Sequence, residues 1–168
     1  GPMDQIPRYI KGKMKMIVVV NFSNRKHGNC YSIAGTVKKH YGDKKVKIFN
    51  FIDETYKSCG NCEYECFTSK CSINDGLKEL FKSILQSEET IFIIPNYYDY
   101  PSSNFFLFNE RCHGFMHNNE ELHKRYLEVP KKFMVVSSTN VINFKTACAY
   151  HIPHGTIPAI LFFNARKF

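Results

Sequence analysis

Four cysteines, Cys59, Cys62, Cys66 and Cys71, fall within thirteen residues in the spacing CX2CX3CX4C. Thiolates this close in sequence can meet around one small inorganic centre. The two chemical candidates are an iron–sulfur cluster and a tetrahedral zinc. Zinc ligands are more often split into two distant pairs, so one short segment tips the reading toward iron–sulfur. Without a metal, the same thiols would stay reduced or form regulatory disulfides. The chain has seven cysteines, an odd and locally crowded number that argues against a secreted disulfide framework. Cys112 and Cys148 read as ordinary semi-buried thiols.

A second chemical candidate is residues 21–30, NFSNRKHGNC, between an apolar run and a helical pattern. A helix start offers free backbone N–H groups and a positive dipole end, which suit a phosphate. Ser23 and Asn29 can donate from their side chains, and Arg25 supplies a fixed charge. Gly28 permits close backbone approach, and Cys30 offers its N–H. The plainer alternative is a polar turn between strand and helix. His113 with His117, and His151 with His154, could each bind a metal, but no carboxylate pattern supports either pair. There is no Ser–His–Asp or paired-carboxylate arrangement, so hydrolysis has no support.

The elements that must position these residues alternate. Apolar runs at 16–20, 45–52, 90–95, 132–137 and 157–163 suit strands buried on both faces of a parallel sheet. Helical patterns lie at 29–41, 75–86, 103–115, 119–127 and 141–150, with Asn74 or Asp75 capping the second. The order β-α-β-(cysteine segment)-α-β-α-β-α-β predicts an α/β fold with right-handed crossovers.

The 168 residues suit one domain, able to bury an ordinary core. Gly1-Pro2 reads as a protease-cleavage remnant and residues 3–13 as an N-terminal extension. Residues 14–168 form the predicted domain, with a cysteine-rich insertion at 57–73. No signal pattern or membrane-length apolar run is visible, so a cytoplasmic location is expected. The net charge of +8 comes from scattered lysines that read as solvated surface, so nucleic acid is not expected as a partner.

Residues 22–30 resemble the phosphate loop Gly-Ser-x-Arg-x-x-Gly-Asn-Thr/Ser of NAD(P)H-dependent FMN reductases and iron–sulfur flavoproteins, a branch of the flavodoxin-like proteins. Ser23, Arg25, Gly28 and Asn29 match that pattern. Phe22 replaces the Gly and Cys30 the Thr/Ser. Residues 95–111 are similar to the branch's Pro-x-Tyr-(x)-Ser…Phe-x-Asp-Arg: Pro95, Tyr97, Ser102, Phe108 and Arg111 match, and Glu110 replaces Asp. The cysteine segment resembles CX2CX2CX4–7C with one extra residue in the middle gap. The resemblance spans residues 16–138.

It implies a flavodoxin-like five-stranded parallel sheet, order 2-1-3-4-5, with helices on both faces. It implies FMN, its phosphate on Ser23, Arg25, Gly28, Asn29 and Cys30. The ring would lie against Pro95, Asn96, Tyr97, Tyr98 and Ser102, with aromatic side chains covering its faces. Ligands of open α/β sheets sit at the carboxyl ends of strands, which places Ser137, Ser138 and Thr139 at the pyrimidine edge. Tyr97 or Tyr98 could donate a proton, though packing on the ring is the simpler role. The leading expectation is an iron–sulfur flavoprotein with FMN and a [4Fe-4S] cluster, working as a dimer or tetramer with a carrier such as ferredoxin. One alternative is an NAD(P)H-dependent FMN reductase of quinones, nitro compounds or flavins without a cluster. The other is a non-enzymatic zinc-binding interaction module.

Overall fold

The computed structural model describes residues 16–60, 62–136 and 141–163. Strands β1 (Ile17–Asn21), β2 (Val46–Asn50), β3 (Glu89–Tyr97), β4 (Tyr100–Pro101), β5 (Lys131–Val136) and β6 (Ile160–Phe163) form one sheet. Helices are α1 (Asn29–Tyr41), α2 (Leu77–Gln86), α3 (Ser103–Met116), α4 (Glu120–Glu128) and α5 (Val141–Ala149). The parallel strands run β2-β1-β3-β5-β6. The expected five-strand order therefore needs one correction. A two-residue strand, β4, folds back antiparallel on β3 and brings the number of strands among the described residues to six.

The apolar runs become strands because both faces of the sheet are covered. Val18 and Val20 point into one core, Ile17 and Val19 into the other. α1 closes the smaller core with Cys30, Ile33, Ala34 and Val37. Residues of α2, α3, α4 and α5 close the larger one. Two boundaries move for physical reasons. β2 stops at Asn50 because Phe51–Asp53 winds into a 3-10 turn. β6 starts at Ile160, two residues after Pro158, which lacks the N–H a ladder needs.

Phe22, which stands where the resembled phosphate-loop pattern has Gly, is wholly buried. Its ring packs on Phe51, Phe92, Phe105 and Phe108, with centroids 4.9 to 5.6 Å away. The substitution thus fills the core beneath the loop and leaves the loop's outer surface alone.

Among the described residues no helix is long and apolar enough to cross a membrane.

Candidate functional site: a loop pair at the strand ends

The chain leaves β1 at Asn21, whose buried amide donates to Asn50 Oδ1 (3.0 Å) and accepts from the Ser23 N–H (3.0 Å). Ser23 is buried, and its Oγ accepts from the Arg25 N–H (3.1 Å). These bonds curl residues 21–25 into a tight turn before α1. Gly28 occupies the cap position of α1 without any side-chain hydrogen bond, and the first turn contains no acidic residue. The opening amides of Asn29, Cys30 and Tyr31 lack intrahelical partners by position. The Arg25 side chain lies beside Gly28, its guanidinium carbon 4.0 Å from where a Cβ would stand. Uncapped amides, a positive dipole end and an adjacent guanidinium suit a phosphate dianion. The Cys30 thiol has no part in this. It is buried in the smaller core, and burial pushes its pKa up to about 12. Only its N–H faces the helix start.

β3 ends in a hairpin. Asn96 pairs with Pro101 and Tyr97 with Tyr100, leaving Tyr98 and Asp99 as a two-residue turn. Both turn residues have positive φ, 51° and 69°. That is the twist a type I′ turn requires, usually supplied by Asn-Gly. Tyrosine pays steric strain in this region, so its presence at the tip marks a site where side chain matters more than backbone comfort. Tyr98 is 98% exposed and Tyr100 56%. Asn143 Nδ2 of α5 donates to the Asp99 carbonyl (2.8 Å) and steadies the hairpin from the side. Pro95 is buried within β3 and shapes the strand end; Asn96 and Tyr97 are half-buried above it.

Ser102 and Asn104 join the two loops. The Ser102 hydroxyl, fully buried, donates to the Phe22 carbonyl (2.8 Å) and accepts from the Phe105 N–H as the N-cap of α3. Asn104 Nδ2 reaches the carbonyls of Phe22 (3.3 Å) and Ser23 (3.5 Å) and the Asn24 side-chain oxygen. Ser102 therefore staples loop to loop; its hydroxyl is already used. Asn104 is a residue that sequence reasoning missed. Its only signal is a polar side chain two positions after a helix cap.

Ser137, Ser138 and Thr139, together with Asn140, lie outside the described residues.

The cysteine segment crosses α3 and is pinned to it. Arg111 makes a bidentate, buried ion pair with Asp75 (2.7 and 3.0 Å) and also donates to the Lys57 carbonyl. Asp75 in turn accepts from the N–H of Lys57 (2.8 Å) and of Leu77 (3.2 Å). One guanidinium thus closes both ends of residues 57–75. Burial pushes the Asp75 carboxyl upward, but the Arg111 and Lys57 hydrogen bonds outweigh it and hold it below the usual range. Glu110 accepts from the Cys59 N–H (3.0 Å), and Asn118 Nδ2 donates to the carbonyls of Cys66 (2.7 Å) and Ser69 (3.1 Å). Cys66 Sγ lies 3.5 Å from His113 Nδ1. Cys71 presses so closely on Gly114 that a Cβ there would stand 2.9 Å from its own. The extra residue between Cys62 and Cys66 is absorbed at Glu63 and Tyr64, both at positive φ, 51° and 59°. Burial raises the thiol pKa of Cys59 and Cys66, and neighbouring cysteines add to the rise. Among the described residues no three His, Cys, Asp or Glu side chains stand where they could hold a metal ion. The segment is gathered on α3, but the four thiols do not close on a common centre.

The histidine pairs also resolve. His113 of α3 and His117, the residue that caps its end, stack with centroids 4.3 Å apart, and Phe67 packs on both. His151 and His154 do not form a pair. His151 is buried, with Nδ1 on Tyr126 Oη (2.6 Å) and Nε2 on Asn109 Oδ1, while His154 is exposed. Cys112 and Cys148 are fully rather than semi-buried, which raises both thiol pKa values.

No family model and no curated protein matches the chain. Solved structures do. The Trp repressor binding protein from Bacillus subtilis superposes with a TM-score of 0.59 at 13% identity, covering 88% of this chain and 83% of its own. The apo NADH:FMN oxidoreductase EMOB superposes at 0.54 with 12% identity, covering 91% and 77%. RosB, solved with 8-demethyl-8-formylriboflavin-5′-phosphate as bound intermediate, gives 0.60 at 11% identity, covering 90% and 66%. At these identities the likeness establishes a shared α/β fold with a parallel sheet close to the flavodoxin-like arrangement.

Proposed function

We propose that this protein is an FMN-dependent oxidoreductase that holds the flavin phosphate on the start of α1 and the ring beneath the β3–β4 hairpin. The observation that carries this reading is the stapled loop pair: an uncapped, arginine-flanked helix start bonded through Ser102 and Asn104 to a strained hairpin that displays tyrosines. Two of the structural neighbours are an NADH:FMN oxidoreductase and a protein with a bound riboflavin phosphate derivative, which supports the same chemistry. FMN, when bound, carries a hydride or single electrons between a donor and an acceptor. This chain's residues would do the rest. Asn29, Cys30 and Tyr31 amides with Arg25 would neutralise the phosphate, and Tyr98 would cover the ring face and exclude water. NAD(P)H or a carrier such as ferredoxin would supply electrons, and the basic surface would speed encounter with an acidic carrier. A homo-oligomer is part of this proposal.

The test is titration of the flavin-free protein with FMN, followed by quenching of flavin fluorescence, on the unmodified chain and on Arg25→Ala. The expected result is stoichiometric binding, weakened about 10-fold to 100-fold in the variant, as for loss of a charge-assisted bond of about 1.5–3 kcal/mol. Absence of binding by the unmodified chain overturns the proposal.

The cysteine segment supports an additional reading, an iron–sulfur centre on Cys59, Cys62, Cys66 and Cys71. Its support is the compact spacing and the contacts from Glu110, Arg111 and His113 of α3 and from Asn118 just after it, which hold the segment in place. Against it stands the open arrangement of the thiols. Iron and acid-labile sulfide analysis of anaerobically prepared protein decides between this centre and an FMN reductase without one.

A further inference from the structure

Away from the strand ends, a cleft of about 690 Å³ opens between residues 68–71, α2, the end of α3 and the start of α4. None of its lining residues belongs to the loop pair. Its floor is apolar. Phe81 and Phe115 stack there, centroids 4.8 Å apart and planes 13° apart, with Leu85 and Leu122 beside them. Phe81 is buried, whereas Leu85, Phe115 and Leu122 are only partly covered by the core. Three lysines, Lys70, Lys78 and Lys82, stand around this floor. The acidic residue of the lining, Glu79, points to Lys47 (3.5 Å) on β2. Asn118 is committed to the carbonyls of Cys66 and Ser69, which makes that wall rigid.

An apolar floor within a cationic rim selects for shape and charge together. The volume lies in the range of small-molecule sites, roughly 300–1,000 Å³. We propose that this cleft binds a small organic carboxylate with an apolar body, either an aryl or a medium-chain acyl acid. The body lies on Phe81, Phe115, Leu85 and Leu122, and the carboxylate meets Lys70 and Lys78. Cys71 lines the same cleft and abuts Gly114, so occupancy shields the last thiol of the cysteine segment.

The test uses the full chain with isotope-labelled leucine methyl groups. Titration with 1-naphthoate and with decanoate gives saturable shifts confined to Leu85, Leu122 and their neighbours. The tighter of the two acids assigns the body as aryl or acyl. The uncharged 1-naphthalenemethanol binds at least tenfold more weakly, and the Lys70→Glu/Lys78→Glu variant loses at least tenfold for either acid. On the unmodified protein, saturating acid slows alkylation of Cys71 by iodoacetamide at least fivefold and leaves Cys59 unchanged. The proposal is overturned if neither acid gives a saturable local shift, if the alcohol binds as tightly, or if Cys71 is not protected. FMN titration of the same samples reports separately on the strand-end site, so either reading can fail alone.

Discussion

His151 shows what a single buried ring can decide. Its Nδ1 accepts from the Tyr126 hydroxyl and its Nε2–H donates to Asn109, so the neutral tautomer is fixed. Burial brings its pKa down to about 3, and the nearby Lys131 adds to the fall. The unfolded chain would bind a proton near pH 6.5 that the folded chain refuses, so stability drops as pH falls through that value. Acidification from pH 7.5 to 5.0 is expected to cost about 2 kcal/mol through this residue. Denaturant unfolding at both pH values checks it: the loss shrinks in His151→Gln, and an identical loss in the variant refutes the assignment. Tyr98 is the opposite kind of residue, exposed and strained. Replacing it by Gly removes a left-handed penalty of about 1–2 kcal/mol, partly offset by the entropy Gly loses on folding. Tyr98→Gly is therefore expected to unfold no earlier than the unmodified chain. Its FMN affinity falls about tenfold, the worth of a ring-on-ring contact. A parallel fall in both quantities would contradict this.

At the scale of elements, α3 does two jobs. Its first turn secures the loop pair through Ser102 and Asn104, and its later turns secure the cysteine segment through Glu110, Arg111 and His113, with Asn118 in the turn after it adding two more bonds. Arg111→Ala leaves Asp75 buried and unpaired, which costs about 3–5 kcal/mol. The expected signature is a lowered denaturation midpoint together with faster alkylation of Cys59 and Cys62, since both ends of their segment are released. This also explains what was legible in the residues. The strands could be read because burial on both faces leaves unbroken apolar runs. α1 could be read because Ile33, Ala34 and Val37 repeat at helical spacing. The Phe108-x-Glu110-Arg111 pattern was visible, but its partners, Lys57 and Asp75, lie far away in sequence and only tertiary packing joins them. His151 carries no mark of burial, because its partners Tyr126 and Asn109 come from α4 and α3. The β4 hairpin was hidden for another reason: Tyr98-Asp99 is not the residue pair that its turn geometry normally demands.

For the whole molecule, the two cores lie on opposite faces of one sheet, and the loop pair sits where β1 and β3 end. A ligand bound there, as proposed, would touch groups from α1 and the hairpin and, through them, both cores. FMN at 100 times its dissociation constant is expected to stabilise the fold by about 2.7 kcal/mol, read as a higher melting temperature. Arg25→Ala at the same FMN concentration removes about half of that gain or more without lowering the melting temperature of the flavin-free chain. The Ser102 and Asn104 bonds have a further consequence. On the proposed reading, they would set the distance between the phosphate-holding helix start and the aromatic tip before any ligand arrives. Such a site would act as a ruler: a molecule would have to carry its charge and its planar ring at one fixed separation to engage both ends. Riboflavin, lacking the charge, and flavins with a longer tether between ring and phosphate would each satisfy one end and be rejected by the other.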